Sequence, residues 1–235
     1  MFGRQGWDSM RLIIHDVESI VPRGNMYAAE IIEIAAVAID MVNDRLKYKD
    51  RFHAYVKPQN VHSLPLLTTQ FTGITPSLIE NADPFPMVLD SFLSWLGDDD
   101  YYLCSWSLSD RDYFIADCRR HGVSTDWIQN YNDIQKWYGR VRGETRRRTG
   151  LSRAMEQLGI LPIGSAHSAM ADAVNTCRIL EHVYDPSSPI FKLDKNDCKG
   201  VVHAQLVYED KDAEDEDPSS NPFARLKDLL SETPS

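Results

Sequence analysis

The sequence predicts an α/β fold built around a mixed β-sheet. Two observations support this class: three segments with the composition of β-strands lie near the N-terminus, and helical patterns then alternate with one further strand. The chain of 235 residues is 43% hydrophobic and 10% aromatic, which excludes a wholly disordered protein. Its length suits one domain or slightly more.

Four strands are predicted. The first is the apolar run at residues 12–14, which leads into the polar residues 15–18. Residues 31–39 are rich in β-branched residues and alanine, and residues 51–56 alternate polar with apolar side chains. We expect these two segments to form a hairpin through Asn43 and Asp44. A buried strand at residues 101–106 follows three consecutive aspartates.

Helices are predicted where apolar side chains recur every three or four residues. One begins at Pro84, because proline suits a first turn, and its apolar face consists of Phe85, Val88, Leu89, Phe92 and Leu96. Short elements are expected at residues 71–79, and further helices at residues 110–120 and 151–158. The last long helix begins near His167, and its apolar face consists of Met170, Ala173, Val174, Cys177 and Leu180.

Composition divides the chain into three parts. The folded domain is predicted at residues 10–185, a C-terminal extension at residues 186–208, and a disordered acidic tail at residues 209–235. The tail holds seven acidic residues and one lysine between positions 209 and 217. Its short amphipathic stretch, residues 223–230, is expected to fold on a protein partner.

Charge is unevenly distributed, so the net charge of −10 does not exclude a nucleic-acid partner. Residues 136–153 hold seven basic residues and one acidic residue. Their glycines predict a flexible arm rather than a regular element. We expect Arg146, Arg147 and Arg148 in this arm to contact a nucleic-acid backbone. The alternative is a solvated loop whose charge partly balances the acidic tail.

The chain has no apolar run of the ~18–20 residues that cross a bilayer, and no signal peptide is predicted. Its four cysteines form no Cys-x-x-Cys pair, which argues against a zinc site and a disulfide framework. A reduced, cytoplasmic location is therefore expected, without membrane contact.

The first candidate for chemistry is the pair Asp16 and Glu18 at the end of an apolar strand. Residues two apart on a strand point to the same face. Two carboxylates are costly to bury unless a cation compensates their charge. The pair predicts either a cation site or a solvated strand end, and the motif alone does not decide between them.

The second candidate is Asp110, where the strand at residues 101–106 leads into a helix. Ser109 is the expected N-cap, which would free the Asp110 carboxylate for other contacts. Asp112 lies nearby in sequence but points ~200° away around the helix. Asp110 is therefore preferred over Asp112.

The third candidate is His167 with Asp172. Five helical residues rotate by ~500°, so two side chains at this spacing do not share a face within one helix. They converge only if His167 lies in the loop that leads into the helix, for which residues 164–166 are suitable. The spacing alone is not distinctive.

Together the three candidates predict a metal site. Four carboxylates in one place need divalent cations, and their hard oxygen atoms favour Mg²⁺ or Mn²⁺ over zinc. Two ions ~3.5–4 Å apart suit phosphodiester hydrolysis. A histidine beside them suits removal of a proton from the attacking water.

These motifs resemble those of the DEDDh exonucleases, which have the ribonuclease H-like fold. The four acids are matched by Asp16, Glu18, Asp110 and Asp172, and the histidine by His167. Within this group the chain is most similar to the enhanced-RNAi and histone-mRNA-end exonucleases and their bacterial relatives. That likeness is carried by residues 30–34, 71–74 and 103–106, and it covers roughly residues 11–184.

The resemblance implies a ribonuclease H-like mixed five-stranded sheet flanked by helices, with the exonuclease domain at residues 10–185. It implies 3′→5′ hydrolysis of single-stranded RNA or DNA to nucleoside 5′-monophosphates. The four acids would bind two ions, Mg²⁺ or Mn²⁺, and His167 would act as the general base. We also expect substrate contacts from Ser19, Thr72 and Trp106.

An inactive module of the same fold is the alternative. It would bind or scaffold nucleic acid and be recruited through the tail at residues 209–235. Such a module predicts the loss of at least one of the four acids, and none is missing.

Overall fold

The structure, a computed structural model, describes residues 10–20, 29–59, 64–146 and 148–197. Five strands form one mixed sheet in the order β3-β2-β1-β4-β5. Their bounds are β1 Met10–Ser19, β2 Ile31–Val42, β3 Arg45–Tyr55, β4 Tyr101–Ser105 and β5 Asn132–Asp133. The predicted α/β class with a mixed five-stranded sheet is confirmed.

The first three strands form an antiparallel meander. Asn43 and Asp44 make the predicted two-residue turn, with left-handed φ angles of 51° and 61°. Such angles match the twist of a tight hairpin. Strand β3 begins at Arg45, six residues before the predicted start at 51, because this turn pairs Val42 directly with Arg45.

Strands β4 and β5 run parallel to β1. Strand β4 pairs with β1 only from Arg11 to Ile14. The last residues of β1 therefore extend past β4, and the helix that follows β4 contacts them. This extension is the part of the sheet that carries the candidate site.

Seven α-helices accompany the sheet within the described residues. Their bounds are α1 Leu66–Thr72, α2 Pro76–Ile79, α3 Phe85–Leu96, α4 Ser109–Arg120, α5 Ile134–Arg142, α6 Leu151–Leu158 and α7 Ala169–Val183. The whole predicted apolar face of α3 is buried. On α7, Ala173, Cys177 and Leu180 are buried in a core with Leu12 and Ile14 of β1.

The prediction of a flexible arm at residues 136–153 is wrong over most of its length. Helix α5 occupies its first part and α6 begins at Leu151, so among the described residues of this segment only 143–146 and 148–150 are non-helical. Asp133 caps α5 by accepting the Lys136 N–H at 2.8 Å. The helix forms because Ile134, Trp137 and Tyr138 bury an apolar face. Gly139 lies inside it and has little room for a side chain, since a Cβ would approach the Glu144 carbonyl oxygen to 3.0 Å.

Residues 186–197 pack against the domain. A 3₁₀ helix at Pro189–Phe191 places Phe191 against Trp137. The Asp194 N–H donates to the side chain of Asn132 at 2.8 Å. The domain boundary at 185 stays a prediction, and the tail at residues 209–235 lies outside the described residues. None of the described helices is long and apolar enough to cross a membrane.

Candidate active site

The end of β1 brings Asp16 and Glu18 together with a residue from α4. Beyond Ile14, β1 pairs with no strand on the β4 side among the described residues. The free N–H of Val17 there donates to Asp110 Oδ1 at 3.2 Å. The Asp110 carboxylate thus gives the Val17 N–H a hydrogen-bond acceptor, and it lies beside the two β1 carboxylates.

Asp110 makes this contact from the first turn of α4. The prediction that Ser109 is the N-cap of α4 is wrong, because the N-cap position is occupied by Leu108 and Ser109 is the first helical residue. The Ser109 hydroxyl instead bonds the Ser107 hydroxyl at 3.0 Å. Asp112 instead pairs with Arg111 at 3.0 Å. The preference for Asp110 over Asp112 agrees with this geometry.

His167 and Asp172 approach each other as the sequence required. Helix α7 begins at Ala169, so His167 lies in the preceding loop, with a left-handed φ of 62°. The His167 N–H donates to Asp172 Oδ2 at 3.0 Å. Side-chain ligand atoms of Glu18, His167 and Asp172 lie within 4.8 Å of one another.

Three contacts that the sequence did not reveal hold this loop in place. The Asn175 side chain bonds both the N–H and the carbonyl of Ile163, each at 3.0 Å. At Gly164, with φ of 74°, a Cβ would approach the Cβ of Ala171 to 2.8 Å. The His167 ring lies 4.0 Å from the Phe71 ring, centroid to centroid. The loop is therefore packed on α7 and α1.

The electrostatics of the site favour protons on its carboxylates when no cation is bound. Burial, then the charges of Asp172, Glu33 and Asp110, raise the pKa of Glu18 to about 8. Burial also raises the pKa of Asp110 to about 7 and that of Asp172 to about 6. The pKa of Asp16 is raised by burial and then by Asp110, Glu18 and Asp172. Four acids whose charges oppose one another suit a divalent cation, because their oxygens are hard ligands.

Burial has the opposite effect on the histidine. It lowers the pKa of His167, so the imidazole is neutral at neutral pH. A neutral imidazole is the form that accepts a proton. The site thus combines an unprotonated base with a cluster of cation ligands.

Sequence reasoning missed Glu33, a further buried carboxylate. It lies on β2 directly opposite Glu18 and is 2% exposed. Its oxygens bond His53 Nε2 at 2.8 Å and the Ala169 N–H at 3.1 Å. A lone acid within the apolar run of residues 31–39 was the available signal.

The three side chains predicted to touch substrate already have internal partners. The Thr72 hydroxyl donates to the Thr68 carbonyl at 2.9 Å, and Ser19 bonds the Tyr113 hydroxyl. Trp106 is 7% exposed and its indole donates to the Thr149 carbonyl at 3.1 Å. Their roles toward substrate remain predictions.

The arginine cluster is only partly described. Arg146 is exposed, and Arg147 lies outside the described residues. Arg148 bonds Gln135 at 3.3 Å and lies 3.7 Å from Asp133.

A family model described as exonuclease matches residues 13–180 of the chain. The chain belongs to this exonuclease family. The match confirms both the predicted family and the predicted class of enzyme, a nuclease.

Named relatives support the same assignment. The exonuclease is 27% identical to the 3′-5′ exonuclease crn-4 of Caenorhabditis elegans, over 84% of this chain and 71% of the relative. It is 30% identical to the mouse 3′-5′ exoribonuclease 1, over 72% of this chain and 51% of the relative. The exonuclease therefore spans about half the length of the mouse protein.

Solved structures agree with the fold. The nuclease domain of 3′hExo, described as a DEDDh family member and solved with rAMP, superposes with a TM-score of 0.70 and 25% identity. The match covers 81% of the exonuclease and 98% of that domain. The predicted ribonuclease H-like architecture is confirmed by this likeness.

Proposed function

We propose that this chain removes nucleotides from the 3′ end of single-stranded RNA or DNA, using two divalent ions, Mg²⁺ or Mn²⁺. The observation that carries the proposal is the convergence of Asp16, Glu18, Asp110 and Asp172 beside a neutral histidine. The names of its relatives, a 3′-5′ exonuclease and a 3′-5′ exoribonuclease, support the direction of cleavage.

Asp16, Glu18, Asp110 and Asp172 would hold the cations. When bound, such cations neutralise the carboxylates, orient the scissile phosphate and stabilise the attacking and leaving oxygens. His167 removes a proton from the attacking water at its ring nitrogen. Water then forms the new bond to phosphorus while the bond to the 3′ oxygen of the preceding nucleotide breaks. That oxygen takes a proton from solvent, which yields a nucleoside 5′-monophosphate and a strand shortened by one residue with a new 3′-hydroxyl.

The orientation of His167 is set by two contacts. Its backbone is fixed by the hydrogen bond to Asp172, and its ring lies against Phe71. A general base must be held within hydrogen-bond reach of its proton, so these contacts favour catalysis. They also keep the ring partly shielded from water, which maintains its lowered pKa.

A cleft of about 410 Å³ beside the end of β4 is proposed to hold the nucleic-acid backbone. Its walls include the basic Lys136, Arg140 and Arg148 together with the acidic Asp133 and Glu144. The Gln135 N–H, also in its wall, donates to the Trp106 carbonyl at 3.0 Å. The Cα atoms of Trp106 and Asp110 are at most ~15 Å apart, since four steps of ~3.8 Å separate them. A strand leaving the centre can therefore reach the cleft within a few nucleotides.

Replacing both Lys136 and Arg140 by Ala is expected to raise KM for strands of ten or more nucleotides. The salt dependence of binding should flatten by a slope of about 1–2, because each removed cation no longer displaces a counterion. Turnover of a dinucleotide should stay close to that of the parent. The triple change of Arg146, Arg147 and Arg148 to Ala is expected to act in the same direction.

The control for charge loss alone is Arg45→Ala with Lys47→Ala, two exposed residues on β3. If the β3 double variant and the cleft double variant changed KM for long strands equally, the cleft would not be the binding site for the nucleic-acid backbone.

The stability of the metal-free protein is expected to depend on pH, because burial and neighbouring charges raise the pKa of Glu18. Glu18 ordinarily has a pKa of 4.5, and its pKa in the folded protein is about 8. Between these values the folded chain binds more protons than the unfolded chain, so the stability of the metal-free protein falls as pH rises. Melting curves at pH 5–8 should show this decline, and Mn²⁺ should raise Tm most at pH 8.

Glu18→Gln should flatten the decline, whereas Asp90→Asn, which changes an exposed carboxylate on α3, should not. A metal-free Tm that rises from pH 6 to 8 in the parent would contradict the electrostatic account.

The activity itself is tested with 5′-labelled single strands of RNA and DNA of matched sequence. Mg²⁺ or Mn²⁺ should produce a ladder that shortens from the 3′ end, and EDTA should stop it. Internal cleavage, or degradation that continues in EDTA, would exclude the proposed function. The relative rates on RNA and DNA identify the preferred strand.

The inactive binding module is not favoured, since all four acids are present and the charges of neighbouring carboxylates raise the pKa of Asp16 and of Glu18. A cytoplasmic location and a protein partner for residues 209–235 stay predictions.

A further inference from the structure

Glu33 is a buried carboxylate to which the proposed mechanism assigns no role. It lies near the start of β2, among apolar neighbours, and is 2% exposed. A carboxylate in such a place is costly unless its oxygens are hydrogen-bonded. Both Glu33 oxygens have partners, and the identity of these partners indicates what the residue does.

The two partners lie on different elements. Oε1 bonds His53 Nε2 of β3 at 2.8 Å, and Oε2 accepts the N–H of Ala169, the first residue of α7, at 3.1 Å. Glu33 therefore links β3 through β2 to the start of α7. With both oxygens engaged, it is not placed to serve as a further cation ligand.

Helix α7 needs a cap from elsewhere in the chain. Its N-cap residue, Ser168, makes no side-chain capping bond. The first N–H groups of a helix have no partner within the helix, and a carboxylate there also interacts favourably with the helix dipole. Glu33 supplies this carboxylate from the sheet.

The start of α7 carries two residues of the proposed centre. Ala169 is two residues after His167 and three before Asp172. His167 has a left-handed φ of 62°, which a residue with a Cβ adopts only when its surroundings hold it. Asp172 holds the His167 N–H at one end of this turn, and Glu33 holds the Ala169 N–H at the other.

We infer that Glu33, oriented by His53, is a positioning residue that fixes the His167 turn and with it the approach of His167 and Asp172 to Glu18. The inference rests on the proposed exonuclease function for its kinetic consequence, but its structural consequence is independent of activity. Glu33 does not touch the reacting atoms. It acts through the backbone of α7.

A neutral residue at position 33 would cap α7 without repelling the nearby carboxylates of Glu18 and Asp172. The charge of Glu33 contributes to the raised pKa of Glu18 and Asp172, its neighbours in the site. Glutamine at this position retains an acceptor for Ala169 and supplies a donor to His53. It therefore separates the geometric role of Glu33 from the role of its charge.

The first test is amide hydrogen exchange in the full chain. Glu33→Ala should speed exchange of the His167 and Ala169 N–H groups at least ~5-fold, the factor that corresponds to the ~1 kcal/mol typical of a lost capping bond. Glu33→Gln should retain most of the protection. His53→Ala, which removes an exposed partner of Glu33, should give an intermediate result.

The control is Glu30→Ala. Glu30 is a buried carboxylate three residues before Glu33, and it accepts the Gln59 N–H at 2.8 Å. Its removal should leave exchange at residues 167–169 unchanged even if it lowers Tm. Unchanged exchange in Glu33→Ala, or an equal increase in Glu30→Ala, would overturn the inference.

The second test is kinetic. Glu33→Ala should lower kcat on a short strand ~10–100-fold with little change in KM, the loss seen when an outer contact that orients a site residue is removed. Glu33→Gln should recover most of kcat. The positioning role would be overturned if the loss of kcat in Glu33→Ala equalled the fraction of that variant that is unfolded. It would also be overturned if Glu33→Gln recovered none of the lost kcat. If the parent itself degrades no strand, the proposed function fails, while the exchange experiment still decides the role of Glu33.

Discussion

Asp110→Asn is expected to lower kcat at least ~10²-fold, a loss comparable to removing one preorganised group that stabilises developing charge. The substitution should leave the fold intact. Asp110 Oδ1 accepts the Val17 N–H at 3.2 Å, and an asparagine oxygen can accept the same bond. What disappears is the negative charge beside Asp16 and Glu18, on which cation binding depends.

The metal-free Asp110→Asn variant should also be more stable than the parent at pH 8. The pKa of Asp110 is about 7, so its ionisation at that pH destabilises the folded state. A variant with lower kcat and higher Tm could not owe its low kcat to misfolding. The measurement is kcat on a 5′-labelled strand together with Tm.

Asp112→Asn is the matched control, because Asp112 is an aspartate two residues away that pairs with Arg111. It should retain kcat within a few-fold of the parent. Equal losses at positions 110 and 112 would mean that the second motif has been assigned to the wrong aspartate.

His167→Asn is expected to lower kcat ~10²–10⁴-fold at neutral pH, the usual contribution of a general base. Asparagine is the informative replacement, because it tolerates the left-handed φ of 62° better than alanine does. Binding of a single strand should change little. Kinetics at saturating metal and a direct binding assay together separate the two effects.

His182→Asn is the control for a histidine on α7 outside the site, since His182 is exposed in its last turn. It should behave as the parent. Full activity of His167→Asn near neutral pH would exclude His167 as the base.

Local sequence was sufficient to predict two geometric features of the candidate site. Asp16 and Glu18 share a face because strand side chains alternate, and His167 had to precede α7 because five helical residues rotate too far. Both arguments use only neighbours within one element. The structure agrees with them, since the charge of Glu18 raises the pKa of Asp16 and the His167 N–H bonds Asp172.

Contacts between distant segments were not predictable in this way. Glu33 and Ala169 are 136 residues apart, and only the packing of α7 on the sheet brings them together. The same holds for Phe71 against His167. Helix α5 was missed for a related reason: the glycines of this segment favour a loop, and burial of Ile134, Trp137 and Tyr138 in the core outweighs that preference.

Equilibrium binding of Mn²⁺ to the metal-free protein, followed by electron paramagnetic resonance at pH 7.5, tests the central claim most directly. The four carboxylates are expected to bind two ions per parent chain. Binding should release protons, because the pKa of Glu18 is about 8 and that of Asp110 about 7 before the cation arrives. Asp110→Asn should bind at most one ion, and Asp112→Asn should bind two. A parent chain that binds no Mn²⁺, or an Asp110→Asn variant that binds as the parent does, would contradict the account.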